Sequence, residues 1–353
     1  MKRINLKRHD RWVVLALLFT IHCSLFISSA GAQFVRRSVV EEFTGTWCGN
    51  CPRGIVGMQR LSEDFGDRFI GIAVHTGNGE PMLIPTYPDV QTDRIPGSGA
   101  PSCIIDRAEF KFDPYSGSGQ RGVFHYGIDV DFAAALSIPT EAKVELTAEW
   151  DDAYQWDVRY IVTTTFDIDS PTAPYRLILV LTEDGLTGTA DSWRQTNYFS
   201  NDYSYSAGDN YQDDDMQSWR EAPYYASGIV YNHVAVNTNG VRTGIVGSIT
   251  APITAWQPQT YVGTVTTLAS HAQRIIQDKE RLHAVAILIN TETGDVVNAA
   301  QSPVLPYGSS GIQSLNQPAI SLSDYCYDLQ GRRLHAEPAV GIYLWNGKKY
   351  LAK

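Results

Sequence analysis

Two cysteines, Cys48 and Cys51, stand two residues apart in the run Phe43-Thr44-Gly45-Thr46-Trp47-Cys48-Gly49-Asn50-Cys51-Pro52-Arg53-Gly54. That spacing lets the sulfurs close a tight disulfide. Residues 35–43 read as a strand, with Val35, Val39, Val40 and Phe43 apolar and a turn signal at Thr44-Gly45. Beyond the cysteines, Ile55, Met58, Leu61 and Phe65 fall at helical spacing and Gly66 ends the pattern. The pair therefore lies where a strand hands over to a helix. The unpaired amides and positive dipole end at such a helix start favour a thiolate, the reactive form of cysteine. The chemistry on offer is thiol–disulfide exchange.

The elements that must hold this pair follow in order. Residues 69–74 form a short continuous apolar strand of the kind buried in an α/β sheet. Residues 75–99 are rich in Gly and Pro, with one helical turn expected over 87–93. Pro101 then leads into an apolar strand through Cys103 to Arg107, and residues 130–136 close the unit as a helix. After Ile138-Pro139 the pattern changes to period two. Strands are expected over 142–150, 156–162, 175–182, 230–236, 259–268, 282–290 and 296–301, with a turn at Thr293-Gly294-Asp295. Many strands and few helices imply an all-β sandwich, of jelly-roll or immunoglobulin-like type.

Strand, Trp-Cys-Gly-x-Cys-Pro at a helix start, and a later x-Pro before a strand resemble the thioredoxin fold. The resemblance implies that Cys48 attacks, Cys51 resolves, Pro101 is the cis-proline beside them, Glu42 is the buried acid beneath the site and Trp47 is its flanking tryptophan. A buried carboxyl there can exchange a proton with the resolving thiol, because desolvation raises its pKa toward working pH. Asn50 departs from the proline usual between thioredoxin cysteines, and 75–99 is not thioredoxin-like. Cys103 reads either as a third thiol near the pair or as a buried core cysteine. The fold class expected is an α/β thioredoxin-like domain (33–137), an all-β sandwich (138–307) and a short C-terminal β tail with its linker (308–353).

Residues 1–32 read as a signal peptide. Lys2, Arg3, Lys7, Arg8 and Arg11 precede an apolar run over 12–27, and Ser28-Ser29-Ala30-Gly31-Ala32 supplies a small-residue cleavage pattern before Gln33. The run is short for a membrane span, and His22 stands where a lipidation site at Cys23 needs a small residue. Export to the periplasm, outer membrane or cell surface is expected, in an oxidising compartment where Cys48 and Cys51 pair as a redox-active disulfide. No later membrane span is expected. A net charge of -10 argues against nucleic acid as partner. No G-x-S-x-G, H-E-x-x-H, paired-carboxylate or phosphate-loop constellation lies on a credible element, so hydrolase readings fall away.

Residues 195–225 read as a polar-aromatic loop. Asp209, Asp213, Asp214 and Asp215 make it a weak Ca²⁺ candidate, and its tyrosines suit a carbohydrate or protein ligand, but a solvated loop is the expectation. His233 reads as a structural histidine. After the linker near Tyr307-Gly308-Ser309-Ser310-Gly311, Tyr325-Cys326-Tyr327-Asp328-Leu329-Gln330-Gly331-Arg332 and Gly341-Ile342-Tyr343 resemble the last strands of type IX secretion sorting modules. Asn346-Gly347 reads as a hairpin turn, so a small terminal hairpin is the alternative. The signal peptide, the cysteine motif and Tyr231-Asn232-His233-Val234 together resemble the outer-membrane-protein-related (Omp28-related), thioredoxin-like envelope proteins of Bacteroidota. Two functions follow: a thiol–disulfide oxidoreductase acting on protein thiols and disulfides, or a surface adhesin or receptor whose disulfide is structural. No cofactor beyond the disulfide is expected.

Overall fold

The structure is a computed structural model that describes residues 34–85, 87–94, 99–111, 113–118, 125–203 and 213–309, together with the backbone of four strands between 326 and 352. The expected signal peptide, Asp209 and the Asn346-Gly347 turn lie outside the described residues. The described residues from Arg36 onward fall in one unit.

The cysteines are carried by β1 (Ser38–Thr44), α1 (Pro52–Phe65) and β2 (Phe69–His75). α2 (Pro88–Arg94), β3 (Ser102–Ile105), β4 (Glu109–Lys111) and α3 (Ile128–Leu136) complete this part. β1 pairs parallel with β2 across the α1 connection and antiparallel with β3, which pairs antiparallel with β4. Every residue of β1 and β2 is buried, because side chains on both faces of these strands are covered. On one face Val40, Cys103 and Ile105 pack against Met58 and Leu61 of α1 and Phe132 of α3. On the other, Val39, Phe43, Ile70 and Ile72 pack with Tyr87 and Val90.

The β-rich part contains β5 (Ala142–Trp150), β6 (Asp157–Phe166), β7 (Tyr175–Glu183), β8 (Gln195–Thr196), β9 (Tyr225–Ala226), β10 (Val234–Asn239), β11 (Gln259–Thr266), β12 (Leu282–Asn290) and β13 (Val296–Leu305). β6 alternates between half-buried and buried residues, whereas β7 and β12 are buried almost throughout, so the period-two pattern marks the outer strands and fades at the centre. β10 pairs antiparallel with β7 and touches β2 in parallel at Val234 and Ala73. Eleven strands thereby form one mixed sheet in the order β11-β6-β5-β13-β12-β7-β10-β2-β1-β3-β4. The expected boundary at Ile138-Pro139 thus falls within a chain whose two sides share a sheet. The far end of that sheet folds back over its middle: Tyr160 donates to the Val180 carbonyl at 2.6 Å, and Asn237 to the Thr266 carbonyl at 2.7 Å. Apolar side chains of β5 and β6 there pack on Leu177, Leu179 and Leu181 of β7.

At the C-terminus β14 (Cys326–Asp328), β15 (Arg333–Leu334), β16 (Gly341–Trp345) and β17 (Lys348–Ala352) form a four-stranded antiparallel sheet ordered β15-β14-β16-β17. No helix among the described residues is long and apolar enough to cross a membrane.

Candidate functional site

Cys48 and Cys51 form a disulfide with their Cα atoms 5.4 Å apart. A turn places them, with the Cys48 amide donating to the Gly45 carbonyl and the Cys51 amide to the Cys48 carbonyl, each at 3.1 Å. Cys51 is the N-cap of α1 and Pro52 opens the helix, where the ring removes an amide that would be unpaired anyway. Both cysteines are buried, Cys48 at 4% exposure. Trp47 is half exposed and donates its indole N–H to the Thr76 carbonyl at 2.5 Å. Pro101 is buried after a cis peptide bond, at the entry to β3.

β1 turns Glu42 toward α1. Its Oε1 lies against Gly54, close enough that a Cβ added there would be 1.9 Å away. That oxygen finds no hydrogen-bond partner among the described residues. Burial pushes the carboxyl up to about 8, against a smaller downward pull from the Thr44 hydroxyl. At neutral pH Glu42 is therefore mainly protonated. It lines a cavity of about 330 Å³ together with Thr44, Met58, His75, Asp184 and His233.

Cys103 is a buried free thiol paired in register with Glu42 across β1 and β3. Burial, with a smaller contribution from Glu42, raises its pKa well above the ordinary range and keeps it an inert thiol.

Two groups at the site carry no local sequence signal. Glu80 accepts from the Thr46 amide at 2.7 Å and the Thr46 hydroxyl at 3.0 Å, and its other oxygen meets His75 Nδ1 at 3.0 Å. Burial pushes Glu80 upward, but His75 and Thr46 outweigh it and hold the carboxyl below its ordinary range. His233 and His283, fifty residues apart in sequence, both face Asp184, with contacts of 3.7 and 3.3 Å. Burial lowers the His233 pKa despite Asp184.

The solvated loop expected over 195–225 is corrected over its described residues. Thr196 donates its amide to the Thr46 carbonyl at 2.8 Å, and Tyr198 donates its amide to the Gly49 carbonyl at 2.9 Å. Gln195 Nε2 donates to the Cys48 carbonyl at 2.8 Å. Phe199, Met216 and Trp219 are buried with Val56 of α1 and Tyr115. The signal that marks this packing was present as apolar residues spaced through a polar stretch, but their partners are far away in sequence. Of the Ca²⁺ candidates, Asp213 accepts from Tyr115 at 2.8 Å and contacts His125 at 2.6 Å, while Asp215 accepts from Tyr115 at 2.6 Å and pairs with Arg60 at 2.7 Å. Their carboxylates serve as internal acceptors, and no metal-binding cluster occurs among the described residues.

No protein-family profile matches the chain, and no curated protein sequence is similar to it. Among solved structures it is similar to HBP35 of Porphyromonas gingivalis, with a TM-score of 0.51 and 15% identity over 90% of this chain and 97% of that one. Looser matches are a structural-genomics target from Agrobacterium tumefaciens (TM-score 0.41, 13% identity, 81% and 99% coverage) and a domain of the outer membrane lipoprotein Omp28 from Porphyromonas gingivalis (0.23, 12%, 48% and 91%). At such identities the likeness to HBP35 is one of fold: a large mixed sheet with few helices, α/β in its first part and β-rich thereafter.

Proposed function

We propose that the chain is an exported envelope protein in which a thioredoxin-like unit performs thiol–disulfide exchange at Cys48 and Cys51. Support for the unit comes from the strand order β2-β1-β3-β4, with β1 and β2 parallel and the others antiparallel. The observation that carries the exchange reading is Glu42. A fully buried carboxyl with an unpartnered oxygen costs about 1–3 kcal/mol, which a purely structural disulfide gives no reason to bear.

Its chemistry completes the reaction. A thiolate from a reduced partner attacks Cys48 Sγ, the Cys48–Cys51 bond breaks, and Cys51 leaves as a thiolate. Protonated Glu42, whose Oε1 lies against Gly54 in the helical turn that follows Cys51, supplies the proton that neutralises it. A second partner thiolate then attacks the mixed disulfide, so the partner is oxidised by two electrons and the protein pair is reduced. In the reverse direction the Glu42 carboxylate takes the Cys51 proton, and Cys51 expels the partner from Cys48.

The test is dithiothreitol-driven reduction of insulin. Cys48→Ser is expected to abolish turnover, and Glu42→Gln to slow it at pH 7 by on the order of 10². Wild-type turnover no faster than free dithiol removes the reading.

Burial of Cys48 favours a second reading, a surface binding protein in which the disulfide is a staple. It requires a reduction potential below roughly −300 mV and ligand binding that survives Cys48→Ser.

A further inference from the structure

Residues 195–198 lie against the turn that carries the disulfide, as the short strand β8 and the turn that follows it. The amides of Thr196 and Tyr198 point to one side and bond the carbonyls of Thr46 and Gly49. The Asn197 amide between them points away and bonds the Tyr224 carbonyl at 2.7 Å. The two inward bonds seat the segment on the turn that carries the cysteines. The segment is itself backed by β9, through the Gln195–Ala226 and Thr196–Tyr225 pairs. Gln195 reaches over to the Cys48 carbonyl, and the Tyr198 ring lies on Gly49 so closely that a Cβ there would be 2.3 Å from Cδ1. Tyr198 is stacked in turn on Tyr203, with ring centroids 5.1 Å apart. Thr46 adds a bond from its hydroxyl to the Ser192 carbonyl at 2.9 Å.

The chain thus lays its own backbone against the turn that carries Cys48, which is 4% exposed. We infer that residues 195–198 are an autoinhibitory strap, held by Gln195, Asn197 and Tyr198, that must be released before the Cys48–Cys51 disulfide can exchange with a protein partner. This rests on the exchange reading above and adds its control. The competitor that fits is an extended polypeptide segment offering alternate amides to the Thr46 and Gly49 carbonyls. In the open form that segment takes the place of the strap.

The test separates the strap from turnover by using a reductant that needs neither Glu42 nor a partner. A water-soluble phosphine attacks one sulfur, the S–S bond breaks, and water delivers its oxygen to phosphorus. The products are two cysteine thiols and a phosphine oxide. The rate of this reduction is followed by thiol labelling in the oxidised full-length protein and in its Gln195→Ala, Tyr198→Ala and Gly49→Ala variants, each checked for native circular dichroism. Gly49→Ala pushes the Tyr198 ring away while leaving the strap sequence intact, so it carries the test if Tyr198→Ala does not fold. Loss of one strap anchor is expected to raise the reduction rate by about tenfold. It should also speed hydrogen exchange at the Thr196 amide. Equal reduction rates in wild type and all folded variants overturn the strap, as does a wild-type rate matching that of a short Cys-Gly-Asn-Cys peptide. A fast-opening variant that still fails to reduce insulin would instead count against the exchange reading and leave the strap standing.

Discussion

Glu41 and Glu42 are neighbours on β1, both are buried, and the strand turns them to opposite faces of the sheet. Glu41 is fully answered: Arg107 donates to both its oxygens at 2.7 and 2.9 Å, and Tyr87 donates at 2.8 Å. Arg107 is itself 3% exposed and gives a further bond to the Val241 carbonyl at 2.9 Å. Glu42 receives the Thr44 hydroxyl and, among the described residues, has no cation beside it and leaves one oxygen without a partner. One face of the strand therefore uses its acid to fix the loop after β3. The other keeps an acid protonated against the first turn of α1 and a cavity. Burial alone does not distinguish a structural carboxyl from a chemical one; the presence of a matched donor set does.

The largest effect is expected from breaking the answered face. Arg107→Met removes the cation but leaves Glu41 and Tyr87 buried, and should cost about 3–5 kcal/mol of stability. Adding Glu41→Met should recover most of that loss, since an apolar pair has no charge to desolvate. Urea unfolding of both variants decides it, and a single variant within about 1 kcal/mol of wild type would mean the pair is not closed as described.

The unanswered face predicts a pH dependence of opposite origin. A free glutamate ionises near 4.5 and Glu42 near 8, because burial disfavours its charged form. The folded state thus holds a proton that the unfolded chain releases. Stability should be complete below about 4.5, fall as the pH rises to about 8, and change little above that. The loss from this one group is about 3 kcal/mol, allowing for water reaching it from the cavity. Glu42→Gln should flatten the profile, making the variant the more stable protein at pH 9 and nearly equal to wild type at pH 5. An unchanged slope between pH 5 and 8 would show that Glu42 ionises normally.

What the sequence made legible follows the same division. Strand and helix positions were readable because burial imposes period two or 3.6 wherever one face is covered: 142–150, 282–290 and the helix ending at Gly66 are found as expected. The β1–helix–β2 path to the cysteines was readable for that reason too. Glu41, by contrast, is indistinguishable from Glu42 in sequence; only β1's pairing with β3, which brings Arg107 alongside, separates their chemistry. The same holds for Glu80, for the His233–Asp184–His283 group, and for residues 195–198. A polar run such as Gln195-Thr196-Asn197-Tyr198 looks solvated because Gln195, Thr196 and Tyr198 bond backbone carbonyls more than a hundred residues earlier. The single sheet was hidden as well, since the link between its two parts rests on one short contact between β10 and β2.

The smallest effect isolates Glu42 from everything else on its face. Gly54 is a glycine in the first turn of α1, where alanine would ordinarily gain up to about 1 kcal/mol of helix propensity. Here the added methyl would meet Glu42 Oε1 at 1.9 Å, so Gly54→Ala should instead destabilise by roughly 1–2 kcal/mol. In a Glu42→Ala background only Pro114 Cγ remains close, at 3.1 Å, and the same substitution should become nearly neutral. The interaction term of that double-mutant cycle, read from urea midpoints at pH 6 where the carboxyl is protonated, measures the steric contact without its charge. A cycle that closes to zero would show that Glu42 does not lie under the helix start. Glu42 would then be buried for packing alone, with no access to the Cys51 proton.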